Sequence, residues 1–327
     1  MKCSPVLITT LFRKKHLEQC ISSLLKNPLA EQTDLYIYVD YPARTEHVVG
    51  YQEILTYIDG LTEGFRSIHV VKRTENYGFL KNQRAALDDI FRKHDTVIRT
   101  NDDAVFSPNF LEWINKCLTL YENDEDVIAI NGYSYPIKWV VSPNATAIRQ
   151  NFVCAEWGIG YWRDKYLHIE RKLQDGYFQT NIEQNLKTKR YKELIDARFF
   201  DFVYASTSTH SASLYRCCTD IALGTYIGLE DKYVIMPALS KVRDNGFDGS
   251  GVFCQLINVN YNKKETACNY DYSRQPIDTN TDIEIVENIL DNQGQNKELL
   301  NRFDIRDKKL ILRAHLKLLL WRILKCK

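Results

Sequence analysis

The sequence contains no run approaching the roughly 20 apolar residues that a bilayer core requires. No apolar leader is expected from residues 6–12 either, which are short, carry two threonines and run into Arg13-Lys14-Lys15. An excess of one charge sign is missing as well. The formal net charge is +1 over 327 residues, which excludes a general electrostatic pull toward nucleic acid. Nine cysteines form no CxxC pair, their number is odd, and Cys217 and Cys218 are adjacent, a poor geometry for a bridge or a zinc site. The expectation is reduced thiols in a cytoplasmic protein. No GxGxxG follows the first apolar run and no GxxxxGK[ST] occurs anywhere, so neither a dinucleotide fingerprint nor a P-loop is available. Repeats and low-complexity tracts are absent too.

What remains is ordinary globular composition, 44% hydrophobic and 26% charged, in a chain long enough for one large domain or two smaller ones. The first 131 residues alternate regularly. Strand-type runs are expected at 6–10, 35–39, 68–71, 97–98 and 127–130, and helical spacing at 16–26, 48–58, 79–91 and 109–121. Strands alternating with helices of this length imply βαβ units and a mostly parallel sheet. Beyond residue 131 the pattern loosens. A helix is expected at 217–227, a strand at 233–236 stopped by Pro237, and a turning or mobile loop at KVRDNGFDGSG, residues 241–251.

The stretch IRTNDDAVFSPNFLEWI, residues 98–114, ends an expected strand on Asn101-Asp102-Asp103. Adjacent carboxylates repel and resist burial. Ligands of open α/β sheets bind at the carboxyl ends of the strands, where Thr9-Thr10, Asp40 and this triplet all fall. A ligand bound there without a glycine-rich cradle needs another way to neutralise its phosphates, and a divalent metal on carboxylate oxygen provides one.

Four segments carry a resemblance to a known family: PVLITTLFRKKHLEQCISSLLKN, TNDDAVFSPNFLEWI, WGIGYWRDKY and PALSKVRDNGFDGSG, in that order. Together they resemble the GT-A fold of nucleotide-sugar glycosyltransferases, in the group of family-2-like bacterial enzymes and the N-acetylglucosaminyltransferase I type. The likeness spans roughly residues 4–255. It implies that Asp103 ligates Mn²⁺ or Mg²⁺ and that Asp102 contacts metal-bound water or the sugar. It further implies that Asp40 reads the uracil edge of a UDP-sugar and that Thr9 and Arg13 line the nucleoside. Asn101 departs from the pattern, which often has an acid there. The implied enzyme is a metal-dependent, inverting transferase acting on a hydroxyl of a glycan or lipid-linked glycan, in bacterial surface polysaccharide synthesis.

For the general base the resemblance points to the start of a later helix, with Asp220 in RCCTDIALGTYI the first choice and Asp201 in RFFDFVY the reserve. The alternative for either is a carboxylate stabilised by a helix N-terminus. Glu156 and Trp157 are candidates for acceptor or sugar contact. Asn82 and Arg84 open the third helix at the ligand end, where Arg84 meets either phosphate or a surface partner. Arg243, in the glycine loop, is a candidate clamp on the diphosphate. A competing reading keeps the fold and the nucleotide-sugar site but lacks turnover.

The expected organisation is one domain over 1–300, with a nucleotide-binding half to about 131 and an acceptor half beyond, followed by a basic amphipathic tail at 301–327. Lys309, Arg313 and Lys317 recur every four residues in that tail. Leu316, Leu319, Leu320 and Leu324 broaden its apolar surface, and Trp321 suits an interface. The choice is between a helix packed on the domain and one lying on an anionic membrane at its cytoplasmic face.

Overall fold

The protein is described by a computed structural model, which covers residues 2–136, 139–151, 155–175, 219–251, 274–279 and 283–289, with 177, 180, 316, 319, 320 and 323. Strands β1 (Val6–Thr10) and β2 (Asp34–Val39) are buried at every position. Continuous burial without polar alternation is what a sheet covered on both faces demands. Helix α1 (Lys14–Leu24) follows β1, and α2 (Glu46–Asp59) leads from β2 to β3 (Ser67–Lys72). Helix α3 (Gly78–Phe91) then returns the chain to β4 (Thr96–Asn101). These four strands are parallel in the order β3-β2-β1-β4.

After a three-residue strand β5 (Ala104–Phe106), helix α4 (Phe110–Leu120) leads to β6 (Val127–Asn131). Phe110 and Ile114 are fully buried, worth about 1.5–3 kcal/mol each in apolar transfer. The second half adds β7 (Ala147–Gln150), β8 (Ile159–Trp162), α5 (Arg163–Gln174), α6 (Thr219–Glu230), β9 (Tyr233–Pro237), β10 (Val242–Asp244) and β11 (Glu287–Ile289). The main sheet runs β11-β7-β9-β6-β8-β4-β1-β2-β3, and β5 with β10 forms a separate antiparallel ribbon. The pairing in the main sheet is mostly parallel. Strand β8 is the exception at its centre, antiparallel to both β4 and β6, and β7 runs antiparallel to β9. Helices α1, α2 and α4 cover one face through Leu17, Ile21, Ile54, Ile58, Phe110 and Ile114. Helices α3, α5 and α6 cover the other through Leu87, Ile90, Tyr166, Ile169, Leu223 and Tyr226.

The α/β class and the order of the first nine expected elements are found as read from the sequence. Residues 159–166, for which no element is expected from the sequence, form β8 and the start of α5. Residues 242–244, expected within a loop, form β10. Asp201 and the boundary at residue 300 lie outside the described residues, as does most of the tail, of which Leu316, Leu319, Leu320 and Ile323 are helical and exposed.

Gly158 enters β8 at φ 64°, and a Cβ there would lie 2.9 Å from both Phe106 and Val242 and 3.0 Å from Phe110. Gly78, at φ 71°, has nothing within 4 Å of the same position. Gly158→Ala combines a left-handed backbone penalty with overpacking and should lower the unfolding free energy by about 2–5 kcal/mol. Gly78→Ala carries only the backbone part, about 1–2 kcal/mol. Urea unfolding of the two variants checks the difference, and equal losses would show that space around residue 158 is not limiting.

Candidate active site at the carboxyl end of the sheet

In the order β3-β2-β1-β4, chain connections leave β1 to one side and arrive at β4 on the other, so the crevice between their carboxyl ends is the topological switch point. The loop after β1 brings Arg13 there, and the turn after β4 brings Asp102 and Asp103. Arg13 Nη2 donates to Asp103 Oδ2 at 2.7 Å and also to Asp102 Oδ1. Thr10 Oγ1 donates to Asp102 Oδ2 at 2.7 Å. All three acceptor oxygens belong to nearly buried carboxylates, whose side chains are 6% and 9% exposed for Asp102 and Asp103. The remaining oxygen of Asp103, Oδ1, is buried without a hydrogen-bond partner, as are Arg13 Nη1 and Thr9 Oγ1.

A third carboxylate completes the cluster. Asp244 at the end of β10 is buried, and its Oδ1 accepts the Gly246 N–H at 2.6 Å. The Asn245 N–H donates to the Asp103 carbonyl at 2.9 Å. A Cβ at Gly246 would lie 2.2 Å from Asp103 Oδ2 and 3.0 Å from Asp244 Oδ1, so only glycine lets the backbone pass between the two carboxylates. Burial pushes the Asp244 carboxyl well above the ordinary range, and the Asp103 charge adds to it. Burial raises Asp102 as well, against the opposing pull of Arg13. Burial works against the Arg13 charge, but Asp102 and Asp103 together hold that guanidinium above its ordinary value. Asp244 carries no signal of its own in the sequence. It sits in what reads as a glycine loop, and a three-residue strand is too short to show a period.

The other candidates are placed as follows. Asp40 Oδ1 accepts the N–H groups of Tyr41 at 2.9 Å and Tyr77 at 2.8 Å, tying the end of β2 to the start of α3. Asn82 is buried and accepts from Arg73 Nε at 2.9 Å, and Arg73 lies over the Tyr77 ring at 4.6 Å and the Tyr38 ring at 5.0 Å. Arg73 Nη2 is buried without a partner, which makes this arginine a member of the β2 end that the sequence did not single out. Arg84 does not join the carboxylates. It faces α5, pairs with Glu170 at 3.5 Å, and lines a cavity of about 560 Å³ with Asp88, Arg163 and Tyr166. Glu156 accepts from Arg99 Nη1 and from the Tyr161 hydroxyl, both at 2.8 Å, and is buried in that role. Trp157 packs edge-on to Tyr133 at 4.5 Å and to Phe247 of the glycine segment at 6.1 Å. Arg243 lies in β10 rather than in a loop, and strand alternation turns it to the opposite face from Asp244. Asp220 falls in the first turn of α6, and its side chain lies outside the described residues.

Hard carboxylate oxygens and an unpartnered buried one suit a divalent cation that takes its other ligands from a phosphate. Among the described residues no group of three His, Cys, Asp or Glu side chains is arranged to hold a metal by itself. The residues therefore fit an ion held jointly with a substrate.

An α/β sheet with an acidic pair at its switch point defines the class. By sequence, residues 1–140 match the GNT-I family model, so the glycosyltransferase likeness stands over the stretch that carries Arg13, Asp102 and Asp103. No curated protein matches the chain. Solved structures similar to it include a mannosyltransferase, PcManGT from Pyrobaculum calidifontis, in complex with GDP-Man and Mn²⁺. It is 14% identical with a TM-score of 0.34, over 49% of this chain and 44% of that one. TarS 1-349 from S. aureus is 13% identical with a TM-score of 0.37, over 73% of this chain and 58% of that one. The same fragment in complex with UDP-GlcNAc is 16% identical with a TM-score of 0.34, over 50% and 46%. The chain thus spans less than two thirds of these structures, and none of these loose likenesses transfers a residue role.

Removing Arg13 leaves buried carboxylates uncompensated. Arg13→Gln should reduce stability at neutral pH by about 3–5 kcal/mol. Asp102 and Asp244 both have folded values raised above the ordinary one, so the folded state binds more protons just above that value and loses stability as pH rises through the window. The deficit of the variant should therefore shrink as pH is lowered toward the ordinary carboxylate value. Thermal melts across acidic pH check this, and a deficit that grows on acidification would contradict it.

Proposed function

We propose that the protein is a glycosyltransferase that takes a sugar from a nucleotide-sugar, a UDP-sugar on the Asp40 resemblance, and passes it to a hydroxyl of a glycan or lipid-linked glycan. The observation that supports this most is the coincidence of the GNT-I match over residues 1–140 with Asp102 and Asp103 at the switch point, one buried oxygen of Asp103 being unpartnered. Asp103, with Asp102 beside it, would hold a divalent ion, Mn²⁺ or Mg²⁺. When bound, that ion supplies positive charge against the diphosphate of the donor.

The chain's own groups have separable tasks in this reading. Arg13 offsets one of the two charges of the acid pair, and its unpartnered Nη1 is available to a phosphate oxygen. Asp40 keeps the β2 end and the turn before α3 in register for the base. Phe247, next to Gly246 in the chain, and Trp157 packed edge-on to it offer aromatic faces for a sugar. A carboxylate, Asp220 or otherwise Asp201, takes the proton of the attacking hydroxyl. The anomeric carbon bonds to that oxygen as the nucleoside diphosphate leaves, with inversion. The role in surface polysaccharide synthesis belongs to the same proposal.

A second reading, a nucleotide-sugar-binding protein without turnover, is favoured by the tie of Arg13 to both carboxylates. Donor hydrolysis in the presence of Mn²⁺ separates the two.

Calorimetric titration of UDP with Mn²⁺ tests the site. Asp103→Ala should abolish the Mn²⁺-dependent part of binding while keeping the fold, because Arg13 retains Asp102 as partner. Unchanged Mn²⁺-dependent binding would overturn the assignment. For the base, Asp220→Asn should leave donor affinity nearly unaltered and lower turnover by roughly 10²–10⁴-fold. Normal turnover there with collapse in Asp201→Asn would move the role.

A further inference from the structure

Leu316, Leu319, Leu320 and Ile323 are helical and stand 51%, 55%, 57% and 55% exposed. Their spacing is i, i+3, i+4, i+7, which sets all four on one stripe of a helix. Single exposed leucines are ordinary, but four on one stripe form a surface that water alone covers poorly. A helix packed on the domain would turn this stripe inward. Here all four side chains are exposed.

The charge of the same segment in sequence says what fits the stripe. Residues 306–327 hold eight Lys and Arg against the single Asp307, a local charge of +7. The whole chain carries +1, so the other 305 residues carry −6. A second copy of the same segment would meet +7 with +7, which disfavours self-association through this stripe. A surface that is anionic, extended and apolar just beneath meets both properties together. Among the described residues no helix is long and apolar enough to cross a membrane.

We propose that this segment docks the protein on an anionic lipid surface, the stripe of Leu316, Leu319, Leu320 and Ile323 entering the headgroup region while the Lys and Arg of the same segment pair with lipid phosphates. Trp321 in the same segment is a residue type suited to that depth. The acidic remainder of the protein is repelled by the same surface, so contact is confined to the segment. This inference is independent of the transfer reaction proposed above and is tested without it.

The test is co-sedimentation of the full chain with phosphatidylcholine vesicles and with phosphatidylcholine–phosphatidylglycerol vesicles, at low and high salt, against a no-vesicle control. One variant carries Leu316→Gln, Leu319→Gln, Leu320→Gln and Ile323→Gln, preserving every charge. A second carries Arg313→Glu and Lys317→Glu, preserving the stripe. The expected result is sedimentation of the unmodified chain with the phosphatidylglycerol vesicles only, weakened by salt, and loss in both variants. Absence of sedimentation by the unmodified chain overturns the proposal. So does retention by the glutamine variant, which would reduce the binding to charge alone. Light scattering that shows a dimer dissociating in the glutamine variant would assign the stripe to a second copy instead.

Discussion

The ion pairs of Arg13 with Asp102 and Asp103 are the interaction on which the carboxyl end of this sheet depends. Three carboxylates from two separate elements share one buried space, and a single guanidinium faces them. Like charges held close in a buried space repel, so the Asp103 charge adds to burial in disfavouring an ionised Asp244 across the turn after β4 and the end of β10. Register between β5 and β10 sets Asp244 opposite Ala104, one residue from Asp103, so the ribbon cannot form without pressing the two acids together. Arg13 offsets part of that repulsion and proton uptake offsets part of the rest, which is why burial drives Asp244 upward. The glycine at 246 is the steric half of the same constraint. Its backbone N–H reaches Asp244 in a gap that a methyl group would close.

Much of this architecture is legible in the sequence where periodicity is long and regular. Strands β1 to β4 and helices α1 to α4 fall within a few residues of their apolar patterns, since each buries one stripe or a whole run against a neighbour. Strand β8 is not legible in the same way. Ile159, Gly160, Tyr161 and Trp162 are all buried, so no polar residue marks a period. Strands β7, β10 and β11 are three or four residues long, below the length at which alternation can be told from chance. Their places are decided by partners distant in the chain, which a local pattern does not contain.

The antiparallel insertion of β8 also accounts for residues that looked like ligand contacts. It runs back between β4 and β6 and delivers the Ala155–Glu156 segment to Arg99, a buried arginine two positions before Asn101. Arg99 Nη1 takes Glu156, and Nη2 takes Gln83 at 2.6 Å and Asn101 Oδ1 at 3.2 Å. An acid in the sequence next to tryptophan suggested sugar recognition. The structure puts that carboxylate to work satisfying a buried guanidinium, which an isolated charge at 2% exposure would require. Asn101, the departure from the family pattern, has its carboxamide turned to Arg99. An acid there would be drawn to the same arginine.

The two halves of the chain meet in the acid cluster. Residues 1–140 match the family model and contain Arg13, Asp102 and Asp103, whereas Asp244 and Gly246 come from beyond it. The strand-end pair by itself is balanced to within one charge by Arg13. Asp244 adds a second uncompensated negative charge only when its raised carboxyl is ionised, so the added residue ties the site's pull on a cation to that ionisation. That link cannot be read from the DD pair alone, because a strand-end acid pair with a nearby arginine is close to balanced. It arises only when the β5–β10 ribbon forms, and it gives the distant half of the chain a direct electrostatic hold on the acid pair at the end of β4.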